Sequence, residues 1–205
     1  MPSVTVDQEE VVFDDGIPSE PNKVYDLLVG VLAGQGRVVV AFVVDGVDSL
    51  REERNPTSFK TIEVSTQTHH ELTLRLIMET MKHLIHVEEE FLAYACNVLK
   101  TRWSEVFQRM DQLINKIKPF AELLDNLTPY VETYHPPWQQ EFERISQEQA
   151  DALDKILIAF EKGSPADLSQ ELSGGFLSIF KEGKTFLKNE SIPYLKKKVT
   201  DGATR

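Results

Sequence analysis

Near residue 66 the apolar spacing of this chain changes period, and that change sets what the chain can fold into. Val4, Val6, Val11, Phe13 and the valine-rich run from Val38 to Val44 fall at the spacing of short strands. Ile77, Met81, Leu84, Phe91, Ala95 and Val98, then Leu99, Trp103, Val106, Met110, Leu113, Ile117, Phe120, Leu124 and Leu127, follow steps of three and four. Steps of two send side chains alternately to the two faces of a sheet, whereas steps of three and four keep one face of a helix apolar. The pattern predicts an α+β protein: a small sheet domain at 1–66, a helical bundle at 67–200 and a disordered tail at 201–205.

A chain of 205 residues with 41% hydrophobic content is long enough for two modest cores. Its 22 Lys and Arg face 33 Asp and Glu, a net charge of -11, which repels phosphate backbones and anionic lipid. Neither nucleic acid nor membrane is therefore expected as a partner. The acidity is uneven, with twelve acids and five bases in residues 1–66 and twenty-one acids and seventeen bases after them. The single cysteine, Cys96, cannot form an internal disulfide, and Met1-Pro2-Ser3-Val4 lacks the basic and apolar regions of a signal peptide, so a reducing cytoplasm is expected. Asn126-Leu127-Thr128 matches a glycosylation triplet but lies inside the helical stripe, where a chance match is the better reading.

In the first half, Ser3 to Phe13 predicts two short strands around Asp7-Gln8-Glu9-Glu10, with Asp14-Asp15-Gly16 as the turn that ends the second. Ser19-Glu20-Pro21-Asn22 leads into Val24, Leu27, Leu28, Val31 and Leu32 at helical spacing, and Gly34 with Gly36 stops that helix. Arg37 to Asp45 reads as a central strand closed by Asp45-Gly46. Residues 47–59 are polar and contain Asn55-Pro56, and Lys60 to Ser65 alternates as a last strand. Strand, strand, helix, strand, irregular segment, strand is the order of a β-grasp unit. Through Val4-Thr5-Val6-Asp7, Val11-Val12-Phe13-Asp14-Asp15-Gly16 and Val38 to Gly46, the first third resembles the ubiquitin-like sulfur-carrier proteins of thiamin and molybdopterin synthesis. The resemblance implies a compact sheet with a helix on one face. Those carriers act through a free C-terminal Gly-Gly, whereas here Ser65-Thr66-Gln67-Thr68 runs on into a helix, so carrier chemistry is not expected.

In the second half, Thr68 and Glu71 form a capping box that starts a helix. Heptad lettering puts Ile77, Leu84, Phe91 and Val98 at d and Met78, Ile85, Leu92 and Leu99 at e; further on, Phe107, Ile114 and Ala121 again occupy e. An apolar face that wide predicts an antiparallel bundle of three or four helices rather than a two-stranded coil. Residues 68–133 read either as one long helix, kinked at Pro119, or as two cut near Asn97 to Thr101, and Pro129 with His135-Pro136-Pro137 ends the stretch. A third helix carries Phe142, Ile145, Leu153, Ile156, Leu157 and Phe160 and closes at Gly163. Ser164-Pro165-Ala166-Asp167 opens a fourth with cap, proline and acid in their preferred places. Leu168, Leu172, Phe176, Ile179, Phe180, Phe186 and Leu187 are its expected buried face, Gly174, Gly175 and Gly183 permit close helix contact, and the chain frays after Val199.

Glu79, His83, His86 and Glu90, spaced four, three and four, are the candidates for metal chemistry, since that spacing puts all four on one helix face. They fall at outward c and f positions without a second Glu-x-x-His, so a solvated face, with no metal and no cofactor, is the expectation. Glu88, at an a position on the apolar stripe, marks a helix end, a partner contact or a buried hydrogen bond. Gly34-Gln35-Gly36 follows a helix instead of opening one, which reads as termination and not as a phosphate loop. Cys96 has no activating base nearby in sequence; His69, His70 and His135 read as exposed or capping residues, Trp103 as core, and Trp138 as core or contact surface. Lys196-Lys197-Lys198 complements a helix C-terminus. The functional expectation is a non-enzymatic cytoplasmic protein-binding module, an adaptor, regulator or chaperone. The alternatives are a metal-dependent helical enzyme using His83 and His86, and a structural homo-oligomer.

Overall fold

The computed structural model describes residues 2–51 and 57–203, with residues 113 and 203 described by backbone alone. The chain divides after Leu72 into two compact units. The expected Asn55-Pro56 break and the end of the tail, Thr204-Arg205, lie outside the described residues.

Among the described residues the first unit is a five-stranded mixed sheet with one helix packed on it. Its elements are β1 (Ser3–Val6), β2 (Glu9–Glu10), α1 (Pro21–Gly34), β3 (Arg37–Val44), β4 (Val47–Asp48) and β5 (Thr61–Thr68). Strand order is β2-β1-β5-β3-β4, with β1 parallel to β5 and every other pair antiparallel. Asp7 and Gln8, at φ 50° and 74°, form the two-residue turn that pairs Val6 with Glu9. The second strand ends at Glu10 and does not reach Phe13. Val11 N–H still donates to Val4 O (2.9 Å), after which Val11 and Phe13 pack partly buried against the core while Val12 faces outward. A strand at residues 47–48 was not expected, because two residues in a polar stretch carry no readable alternation. It follows the Asp45-Gly46 turn, where φ is 49° and 85°, and is fastened by Ser49 N–H to Phe42 O (2.9 Å). Val4, Val24, Leu28, Leu32, Phe42, Val44, Ile62 and Val64 form the core between the sheet and α1. Burying a side chain of that size is worth about 1.5 to 3 kcal/mol.

The helices that follow are α2 (His69–His83), α3 (Val87–Val98), α4 (Trp103–Gln108), α5 (Met110–Tyr134) and α6 (Gln139–Glu161). The stretch 165–203 then runs unbroken through α7 (Pro165–Gln170), a π-helical segment (Glu171–Phe176), α8 (Leu177–Phe186), a second π segment (Leu187–Ser191) and α9 (Ile192–Ala203). Both expected caps form. Glu71 Oε2 accepts from Thr68 N–H (2.7 Å) while Glu71 N–H donates to Thr68 Oγ1 (3.2 Å), and Ser164 Oγ accepts from Asp167 N–H (3.3 Å).

Several boundaries differ from the sequence reading. The stripe 68–133 is neither one helix nor two, being interrupted at 84–86, at 99–102 and at 109. With these interruptions, the helices after β5 are more numerous than the three or four expected. No Gly or Pro marks 84–86, and the apolar period survives there because His86 keeps a nearly helical backbone (φ -101°, ψ -1°). Pro129, like Pro119, lies inside α5 and does not end it. Its lost bond to the carbonyl of the exposed Asp125 can be met by water, and the helix closes at His135 in the left-handed region (φ 42°). The tail does not fray after Val199, since α9 continues to Ala203.

Aromatic rings build much of the helical core. Phe91 lies 5.2 Å from Phe176, Phe120 lies 4.9 Å from Phe180, and Trp138 is 4% exposed among Tyr130, Phe142, Phe186 and Tyr194. Gly183 is required where α8 meets α5, because a Cβ there would stand 2.5 Å from Phe120 Cζ. Among the described residues no helix is long and apolar enough to cross a membrane.

Candidate functional site

The outer side of the stripe from α2 to α5 is the most unusual surface of the helical unit. At the d positions Ile77, Leu84, Phe91 and Val98 are buried, as the spacing predicts. The e positions are not. Met78, Leu92 and Ile114 are between 40% and 48% exposed, and Ile85, Leu99 and Phe107 about 60%. This corrects the expectation of an inward face three positions wide. Leu74 and Met81 at a pack partly buried against the core and Ala95 is fully buried, whereas the neighbouring helices leave these e residues open to solvent. Phe107 stacks on Phe160 (5.3 Å between centroids), and Leu157, one turn before Phe160, is also half exposed, so the apolar surface continues from α4 onto α6. Isolated exposed aliphatic residues are ordinary on proteins, but a heptad-spaced series is not, and such patches mark sites where another surface docks.

The four metal candidates do not share one helix. Glu79 and His83 belong to α2, His86 precedes α3, and Glu90 lies in the first turn of α3, all of them exposed. The interruption at 84–86 separates the first pair from the second, and Glu90 is engaged by the ammonium of Lys116. Among the described residues no group of three or more His, Cys, Asp or Glu is placed to hold a metal ion. The remaining candidates fall into place individually. Gln35 N–H and Gly36 N–H donate to Leu32 O and Ala33 O, both at 3.0 Å, with Gly36 at φ 69°, so Gly34-Gln35-Gly36 ends α1. Cys96 is exposed on α3. His69 and His70 sit half-buried at the start of α2, and His135 Nδ1 lies 3.1 Å from Gln139 Oε1. Trp103 is half-buried against Phe160, and Trp138 is core.

Glu88 resolves as a buried-side ion pair at a helix start. Its carboxylate accepts from Lys184 Nζ of α8 (2.7 Å), and the same ammonium donates to Leu84 O (3.3 Å) and lies 5.5 Å from the centre of the Phe180 ring. Sequence spacing marked Glu88 as anomalous but gave no sign of Lys184, its distant partner.

In the sheet unit the Asp7 carboxylate is committed to the fold. Burial opposes ionisation of Asp7, but hydrogen bonds from the Thr66 hydroxyl and N–H, with the Arg37 guanidinium, outweigh it and hold the carboxyl below its ordinary value. An open groove of about 380 Å³ beside it, lined by Val6, Glu9, Glu10, Val11, Leu32 and Gln35, therefore faces a neutralised pair. A second groove, of about 300 Å³, sets Lys155 and Lys162 against Asp167 and Glu171. Burial pushes the Tyr130 hydroxyl well above the usual phenol range. No family model, curated protein or solved structure matches the chain.

Proposed function

We propose that this chain is a non-enzymatic, cytoplasmic protein-binding module, and that its contact face is formed by two exposed heptad series offset by one residue, Met78, Ile85, Leu92 and Leu99, then Phe107 and Ile114. The observation that carries the reading is the exposure of those six large apolar side chains in a unit whose core is otherwise closed. A partner with an apolar stripe of its own would remove that surface from water at about 25 cal/mol per Å². The sheet unit is read as a β-grasp scaffold, which its strand order, its parallel β1–β5 pair and the single helix between β2 and β3 support. The charge of -11 supports a protein partner over a nucleic acid or an anionic membrane.

The same stripe also favours self-association, the second reading. Light scattering on the purified chain separates the two: a stable multimer that dissociates in a Leu92→Asp, Phe107→Asp variant establishes the homo-oligomer. For the main reading, co-purification from the native source is compared between wild type and that variant. Loss of a stoichiometric partner, with the melting temperature unchanged, is the expected result; a partner retained by the variant overturns the assignment of the face. Stoichiometric metal lost in a His83→Ala, His86→Ala variant would replace both readings with a metalloenzyme.

A further inference from the structure

The joint between α2 and α3 is bridged by a side chain from far along the sequence, Lys184. Leu84-Ile85-His86 contains no helix breaker, and the apolar period runs across it unchanged, so the local sequence permits a continuous helix from residue 69 to residue 98. In such a helix Leu84 O would accept from Glu88 N–H, four residues on. It accepts instead from Val87 N–H, a long bond of 3.4 Å in a tighter turn, and from Lys184 Nζ at 3.3 Å. The same ammonium holds the Glu88 carboxylate at 2.7 Å, in the first turn of α3. Lys184 thus bonds both sides of the interruption, a carbonyl at the end of α2 and an acid at the start of α3, where positive and negative charge respectively suit the helix ends. Its side chain is 17% exposed and that of Glu88 32%, so water competes weakly for the pair.

We propose that the α2–α3 joint is a two-state hinge, interrupted when Lys184 bridges Leu84 O and Glu88 and continuous when that bridge is released. The backbone change is small, since His86 already lies near the helical region at φ -101° and ψ -1°. Residues seven apart on a straight helix drift by only about 20°. Release therefore brings Met78, Ile85, Leu92 and Leu99 onto one unbroken stripe, and the hinge sets whether that surface is continuous.

The experiment uses the full chain. Glu79→Cys, paired with the native Cys96, carries two spin labels across the joint, and seventeen residues of unbroken helix separate the two backbones by about 26 Å. Wild type is expected to give a distance distribution short of the unbroken-helix separation, with non-helical Cα chemical shifts at Leu84 and Ile85. In Lys184→Met and in Glu88→Gln, those shifts move to helical values and the distance distribution gains a population at the unbroken-helix separation. Lys184→Arg retains the wild-type pattern. Folded Lys184→Met and Glu88→Gln variants with wild-type shifts and distances overturn the proposal. Loss of the fold in both also overturns it, because a bridge that cannot be removed is a structural support and not a latch.

Discussion

The two units solve the same problem, covering an apolar core, by different means. The sheet unit is small and draws together residues distant in sequence: Asp7, in the first turn, receives Thr66 N–H (2.8 Å), Thr66 Oγ1 (2.6 Å) and Arg37 Nη2 (2.9 Å). One carboxylate thereby fastens β1, β3 and β5, and its bonds matter because the core cluster beneath it holds only eight buried apolar residues among the described ones. The helical unit has a much larger aromatic core and can leave Ile85, Leu99 and Phe107 in water. A unit with a small core depends on individual polar contacts, whereas one with a large core tolerates apolar surface on its outside. The contrast can be tested from both sides.

The largest effect belongs to the helical core. Truncating Phe120, fully buried against Phe180 and Gly183, costs about 3 to 5 kcal/mol through lost transfer energy and the cavity left behind. Gly183→Ala acts by the opposite route, overpacking: its Cβ would stand 2.5 Å from Phe120 Cζ, and the ring must move at a cost of about 1 to 3 kcal/mol. The contact also implies that the two changes are not additive, since Phe120→Ala makes the room that Gly183→Ala needs. Trp103 and Trp138 both lie in this unit, so denaturant melts followed by tryptophan fluorescence read it directly. Additive losses in the double variant would show that the rings do not compete for that space.

In the sheet unit Asp7→Ala is expected to cost about 1 to 2 kcal/mol, a charged hydrogen-bond cluster discounted for partial exposure. Its pH dependence has a definite sign. The folded carboxyl lies below its ordinary value of 3.8, so the unfolded chain binds the proton more tightly. The contribution is complete above that value and is lost as pH falls through the lower folded value. Methyl signals of Val4 and Val64 follow this unit, and Asp7→Ala should flatten their acid-induced loss of stability. An unchanged acid profile would assign the stabilisation to other carboxylates.

How much of this was legible in the sequence depended on how far each cause lay from its effect. α1, β3, the Thr68 and Ser164 caps and the stop at Gly163 (φ 63°) were legible because a few neighbouring residues determine them. The interruption at 84–86 was not, because Lys184, whose bonds bridge it, is remote in sequence. β4 was not legible because two residues carry no period. The candidate face was half legible: heptad spacing singled out Met78, Ile85 and Leu92, but assigned them inward. Periodicity gives the direction of a helix face; how far neighbouring helices reach around it is a tertiary fact that no local pattern encodes.

That distinction sets the smallest expected effect. If Ile85 and Leu92 face water in the free protein, replacing either by Lys removes no buried contact, and stability should change by no more than about 0.5 kcal/mol. The adjacent d residues provide the internal control, because Leu84→Lys and Phe91→Lys place an unpaired charge in a closed core and should prevent folding. Melting temperatures of the four variants, measured at one protein concentration, decide the point. A loss at Ile85 or Leu92 comparable to that at Leu84 would mean that the stripe is already covered in solution. A second copy of the chain is then the simplest cover, and dilution should reproduce the loss in the wild type.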